Sequence, residues 1–132
     1  MITIDTSALL ALTNRRDPNH ERTVAALEDA VPPYFIPTAI LSEIAYMLES
    51  RDRTGALLSI VADIESGYFE LDCGEANLPR IRKLVQRYAD LPLGLADASV
   101  IACAERHGGK VLSADRDIWI VAREGALTVL PG

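Results

Sequence analysis

Short runs of β-branched and apolar residues alternate with longer helical stretches along this chain, and that alternation leaves few folds open. Ile2-Thr3-Ile4 reads as a buried strand. Asp5-Thr6-Ser7 then offers helix N-cap chemistry to Ala8-Leu9-Leu10-Ala11-Leu12. The pattern predicts a helix over 20–30, a strand at Tyr34-Phe35-Ile36, and a helix opened by Pro37-Thr38 and running to about Arg51. A further helix over 54–66 stops at Gly67, and 68–71 reads as a third strand. Asn77-Leu78-Pro79 starts a helix reaching about Tyr88; 95–107 is the clearest helix, ended by Gly108-Gly109. Lys110-Val111-Leu112-Ser113 reads as a strand, 115–124 as a helix and Leu127-Thr128-Val129-Leu130 as the last strand. Such alternation predicts one α/β domain over 1–132, with parallel strands joined by right-handed crossovers. Ligands in such sheets bind beyond the carboxyl ends of the strands. Asp5 ends one strand and Asp115 follows another, so both are expected at that edge.

A length of 132 residues buries a core without staples, and 49% hydrophobic residues exclude a disordered chain. No apolar run approaches the roughly 20 residues of a membrane span, and the opening residues lack a basic, signal-like pattern. The chain is therefore expected to be soluble and cytoplasmic. Its two cysteines, Cys73 and Cys103, form no disulfide framework or zinc motif, and Cys103 reads as a small core residue. His20 and His107 are isolated, a surface or helix-end role is expected for each, and no His/Cys set competes as ligands. A net charge of −6 argues against nucleic-acid binding, but distribution matters more than the mean field. Eleven of the 13 basic residues are Arg, the better partner for phosphate.

The acids carry the most information. Ile40, Ile44 and Met47 form a stripe at i, i+4 and i+7, and Glu43 completes it at i+3. A carboxylate is thereby expected on a face that should be buried, where something must compensate its charge. A buried Arg, a place at the stripe's edge, or a metal would each serve. Asp97 heads the apolar face of Val100, Ile101 and Ala104, where an acid also answers the helix dipole. Asp5 and Asp115 have capping roles open to them as well. Each ordinary role is adequate alone, but all would have to coincide. In a parallel α/β fold these acids can converge at the carboxyl edge. Clustered carboxylates repel, and Mg²⁺, or Mn²⁺ in its place, resolves the conflict because hard cations prefer oxygen ligands. Such a site suits phosphodiester hydrolysis, in which the cation lowers the pKa of a water and a carboxylate orients or deprotonates it. Thr6, Ser7 and Ser113 offer hydroxyls nearby, which ordinary capping explains as well.

These residues resemble the PIN domain, and within it the VapC-type toxins of bacterial toxin–antitoxin pairs. The PIN pattern begins with an Asp after the first strand followed by Thr or Ser, here Asp5-Thr6-Ser7. Its second acid is a helical Glu, here in Leu41-Ser42-Glu43-Ile44, and its third opens an Ala-rich helix, here Leu95-Ala96-Asp97-Ala98. The last motif commonly reads Thr-x-Asp after a strand; Ser113-Ala114-Asp115 keeps the hydroxyl. Each motif is weak alone, but the four in order form a specific signal. The resemblance spans essentially the whole chain. It implies a three-layer α/β fold, with a central parallel sheet of four or five strands and helices on both faces. It also implies Asp5, Glu43, Asp97 and Asp115 as catalytic metal ligands of a Mg²⁺-dependent endoribonuclease that cuts cellular RNA, a homodimer, and a cognate VapB-like antitoxin. Asp117 ranks below Asp115, since a surface place in the following helix suits it.

A PIN nuclease with a housekeeping role in RNA processing is the nearest alternative, and small size favours the toxin. An inactive binding module is disfavoured by retention of all four acids. A phosphoaspartate receiver lacks its acidic pair here, and an Asp-x-Asp phosphatase is disfavoured by Ser7 in the second acid's place. Arg80, Lys83 and Arg87 fall at i, i+3 and i+7, either a phosphate-tracking stripe or a solvated face; Arg15, Arg16 and Arg116 are alternative RNA contacts. Aromatic residues, at 5%, are too few for a base-stacking platform. The helices around 44–48 and 54–64 are the expected dimer surfaces.

Overall fold

The computed structural model describes residues 1–91, 93–115, 118 and 127–131. Ile2–Ile4 forms strand β1, followed by Thr6–Thr13 (α1), His20–Asp29 (α2), Tyr34–Pro37 (β2), Leu41–Ser50 (α3), Thr54–Glu65 (α4) and Phe69–Asp72 (β3). Leu78–Arg87 (α5), Leu95–Arg106 (α6), Lys110–Leu112 (β4) and Thr128–Leu130 (β5) complete the order. The strands make one parallel sheet in the order β3-β2-β1-β4-β5. β1 is central, and its side chains are buried on both faces, as the run Ile2-Thr3-Ile4 demands.

The chain steps from β1 to β2 to β3 in one direction, carrying α1 to α4. It then returns over β2 and β1 through α5 and α6 to place β4 on the other side of β1. Right-handed crossovers that reverse direction put their helices on opposite faces, which yields three layers. α6 packs on β1, β2 and β4, and α5 packs on α6. The reversal leaves a switch point between β1 and β4, where Asp5 and Ser113-Ala114-Asp115 emerge at the carboxyl edge. One core cluster joins Ile4, Leu9, Ile36, Ile44, Leu48 and Ile60 under the first four helices; a second joins Ile81, Leu84 and Ile101 between α5 and α6.

Some boundaries differ from expectation. Pro37 completes β2 instead of opening a helix, and a single 3₁₀ turn, Thr38–Ile40, precedes α3. β3 runs one residue further, to Asp72, because that residue pairs with Pro37. The helix expected over 115–124 falls mostly outside the described residues, as do Arg116 and Asp117. Glu43 requires a correction. The buried stripe of α3 runs through Ile40, Ile44 and Leu48, while Glu43 is exposed. Residue 43 flanks that line, in the first turn of α3, where an acid answers the helix dipole without desolvation. Among the described residues no helix is long and apolar enough to cross a membrane.

Candidate active site

Asp5 is the best-defined member of the acidic edge. Its amide donates to the Leu112 carbonyl at 3.2 Å, which extends the β1–β4 pairing past the end of β1. Its backbone is extended and its carboxylate caps α1, with Oδ1 accepting from the Ala8 amide at 2.8 Å. Ser7 Oγ donates to the same oxygen at 2.8 Å, and Ser113 Oγ donates to Oδ2. The ordinary capping role is thus present, and it accounts for only one of the two oxygens. Asp5 is 1% exposed. Burial pushes its carboxyl up to about 6, against the hydrogen bonds from Ser113, Ala8 and Ser7, and the charge of Asp115 adds to the rise.

The two serines do more than cap. Ser113 Oγ accepts from the Asp115 amide at 2.9 Å, and Ser7 Oγ accepts from the Ala114 amide at 2.9 Å. The turn after β4 is thereby stitched to the start of α1, and Asp115 is brought within electrostatic range of Asp5. Asp97 lies half-buried in the first turn of α6, behind Gly94. α6 packs on the 38–40 turn just beyond β2, so its first turn starts at the carboxyl edge. Glu43 follows that same turn and is exposed; among the described residues no hydrogen bond or ion pair holds its carboxylate. Asp5 and Asp115 are therefore joined through Ser113, while Asp97 and Glu43 reach the edge on two other elements.

These donors are all oxygens, and a buried carboxylate whose ionisation is opposed by burial gains most from a nearby divalent cation. The residues thus fit a hard metal ion. They are not packed as a tight ligand cage. Among the described residues the one set of His, Cys, Asp and Glu whose ligand atoms lie within 4.8 Å of one another is Asp72, Cys103 and His107. His107 takes the helix-end place expected of it, as the cap of α6, but it is not isolated in space. Its Nε2 donates to Asp72 Oδ2 at 2.8 Å, and its ring stacks on Phe35 at 3.8 Å between centroids. Cys103 and His107 stand at i and i+4 at the end of α6, but nothing in the sequence links them to Asp72 at the end of β3. The two cysteines are free, as expected.

A parallel sheet whose switch point holds an oxygen-rich acidic edge defines a class of α/β proteins suited to binding divalent metal. The sequence model of the PIN domain matches residues 2–124, and the chain belongs to the PIN domain family. It is 29% identical over 133 residues to Ribonuclease VapC26 of Mycobacterium tuberculosis, covering 97% of this chain and 98% of that one. The fold is similar to the crystal structure of Mycobacterium tuberculosis VapC20, described as a sarcin–ricin loop cleaving toxin, with a TM-score of 0.80 at 21% identity over 92% of this chain and 95% of that one.

Proposed function

We propose that this chain is a Mg²⁺-dependent endoribonuclease and the toxin of a toxin–antitoxin pair. The observation that carries the reading is the Asp5 carboxylate, buried at the β1–β4 switch point, with the Ala114-Asp115 backbone tied beside it by Ser7 and Ser113. Asp5, Glu43, Asp97 and Asp115 would hold the cation, with Mn²⁺ a substitute. When bound, it supplies Lewis acidity and a water of lowered pKa for phosphodiester hydrolysis. Ser113 and Ser7 fix the orientation of the Asp5 oxygens, and a carboxylate of the set orients or deprotonates the attacking water. The relatives' names support RNA as substrate and a VapB-like antitoxin as partner.

The test is to incubate the purified chain with total cellular RNA and Mg²⁺ and map the new ends. Asp5→Asn, Glu43→Gln, Asp97→Asn and Asp115→Asn should each abolish cleavage while leaving the far-ultraviolet circular dichroism unchanged. Folded variants that cut like the parent sink the assignment, and cleavage surviving a chelator sinks the metal dependence.

A further inference from the structure

We infer that Asp72, Cys103 and His107 form a second metal site, selective for Zn²⁺ and built from none of the four acids. Their ligand atoms, a carboxylate oxygen, a thiol sulfur and an imidazole nitrogen, lie within 4.8 Å of one another. The set draws on the last residue of β3, the last turn of α6 and the residue that caps α6. Each of the three side chains is held by a further contact. Asp72 Oδ1 accepts from the Gly74 amide at 2.8 Å, which leaves Oδ2 turned to His107. The imidazole plane is fixed by Phe35, stacked at an interplanar angle of 17°. Cys103 Sγ lies 3.5 Å from Thr3 Oγ1 on the neighbouring central strand, in a polar niche between helix and sheet.

Hardness separates the two sites. A sulfur, nitrogen and oxygen set suits tetrahedral Zn²⁺, whereas Mg²⁺ demands oxygens in octahedral array. One thiolate and one carboxylate offset a dication, and the Arg106 guanidinium, 3.9 Å from Asp72 Oδ2, is the positive charge that a bound ion has to displace or tolerate. Access exists: a cavity of about 150 Å³ beyond β2 and β3 is lined by Asp72 and Cys103 together with Pro37, Thr38 and Ser99. Solvent in that cavity supplies the fourth ligand. On binding, the Cys103 S–H bond breaks, its electron pair goes to Zn²⁺ and its proton leaves to solvent. The imidazole proton moves from Nε2 to Nδ1, freeing the Nε2 lone pair. The bound ion ties the end of β3 to the end of α6 and stabilises the native chain by mass action.

The site does not depend on the nuclease reading, so the test can separate them. The full chain, stripped with a chelator and returned to excess Mg²⁺, is titrated with Zn²⁺ and then with Co²⁺. One Zn²⁺ per chain should survive gel filtration and raise the melting temperature, and Co²⁺ should show a near-ultraviolet thiolate charge-transfer band. Cys103→Ser and His107→Gln should weaken Zn²⁺ binding by at least about 10–100-fold, the loss caused by removing even an outer partner of a metal ligand. Asp5→Asn and Cys73→Ser should leave the site intact. A Co²⁺ spectrum of the parent without the thiolate band overturns the proposal whether or not the variants fold. So does Zn²⁺ that excess Mg²⁺ displaces, or that is lost with Asp5→Asn.

Discussion

Asp5 caps α1 and is one of the proposed metal ligands, and its surroundings set a pH dependence. Burial holds its carboxyl at about 6, above the ordinary value of 3.8. The protonated form is therefore the one the fold favours. The associated stability is fully present below pH 3.8 and is lost as pH rises through about 6. The loss amounts to about 3 kcal/mol, at 1.36 kcal/mol per unit. Chelator-treated parent should melt progressively lower between these pH values, and Asp5→Asn should flatten that slope. A parent whose melting temperature is level across the window contradicts the placement of Asp5. Ser113→Ala removes both the hydroxyl that donates to Asp5 and the acceptor of the Asp115 amide. A hydrogen bond to a charged group contributes about 1.5–3 kcal/mol. The acidic limb of the cleavage rate against pH should then move upward, because Asp5 becomes harder to ionise. A merely structural Ser113 would lower stability and leave that limb in place.

Among the elements, α3 separates stability from activity in two adjacent residues. Ile44 is 0% exposed, and Ile44→Ala should cost about 2–5 kcal/mol in a denaturant titration. Glu43 is exposed, so Glu43→Gln should change stability by no more than about 0.5 kcal/mol while cleavage collapses. Helix α5 divides in a comparable way. Arg80 gives a two-point hydrogen bond to Glu105 at 2.8 and 3.0 Å, which occupies the guanidinium against α6. That pair is partly exposed, and contributes only about 0.2–1 kcal/mol. Lys83 is exposed on the same helix. If this face tracks phosphates, Lys83→Ala should reduce the log–log salt slope of RNA binding by about 0.7, and Arg80→Ala should reduce it less. Equal slopes for parent and Lys83→Ala would show that the face is only solvated.

Across the whole molecule, the largest exposed apolar side chains of α3 and α4 are Tyr46, Leu58 and Val61, at 75%, 62% and 50% exposure. Ile44 and Leu48, by contrast, point into the core and cannot meet a second copy. The homodimer proposed on family grounds should therefore use the outward residues. Light scattering at micromolar concentration should give twice the chain mass, and Leu58→Asp with Val61→Asp should halve it without loss of helical signal. A monomeric parent removes the dimer from the reading.

The sequence by itself determined the α/β alternation and the candidate acids. Short β-branched runs and 3.6-residue stripes are local signals, and Asp5 and Ser113-Ala114-Asp115 flank strands whose parallel pairing follows from that alternation. The orientation of Glu43 was not legible, because a stripe of Ile40, Ile44 and Met47 and one of Ile40, Ile44 and Leu48 differ by one helical position. Contact with the sheet selected the second. The set of Asp72, Cys103 and His107 was invisible for a stronger reason. Cys103 and His107 share a helical spacing, but Asp72 lies 31 and 35 positions from them along the chain, and no local period relates it to either. They meet because the return crossover lays α6 across β1 and β2, which brings the end of that helix over Phe35 and beside the last residue of β3. Such a meeting is decided only when the sheet order is set, since pairing between distant segments depends on packing of whole elements and not on the propensity of any one of them.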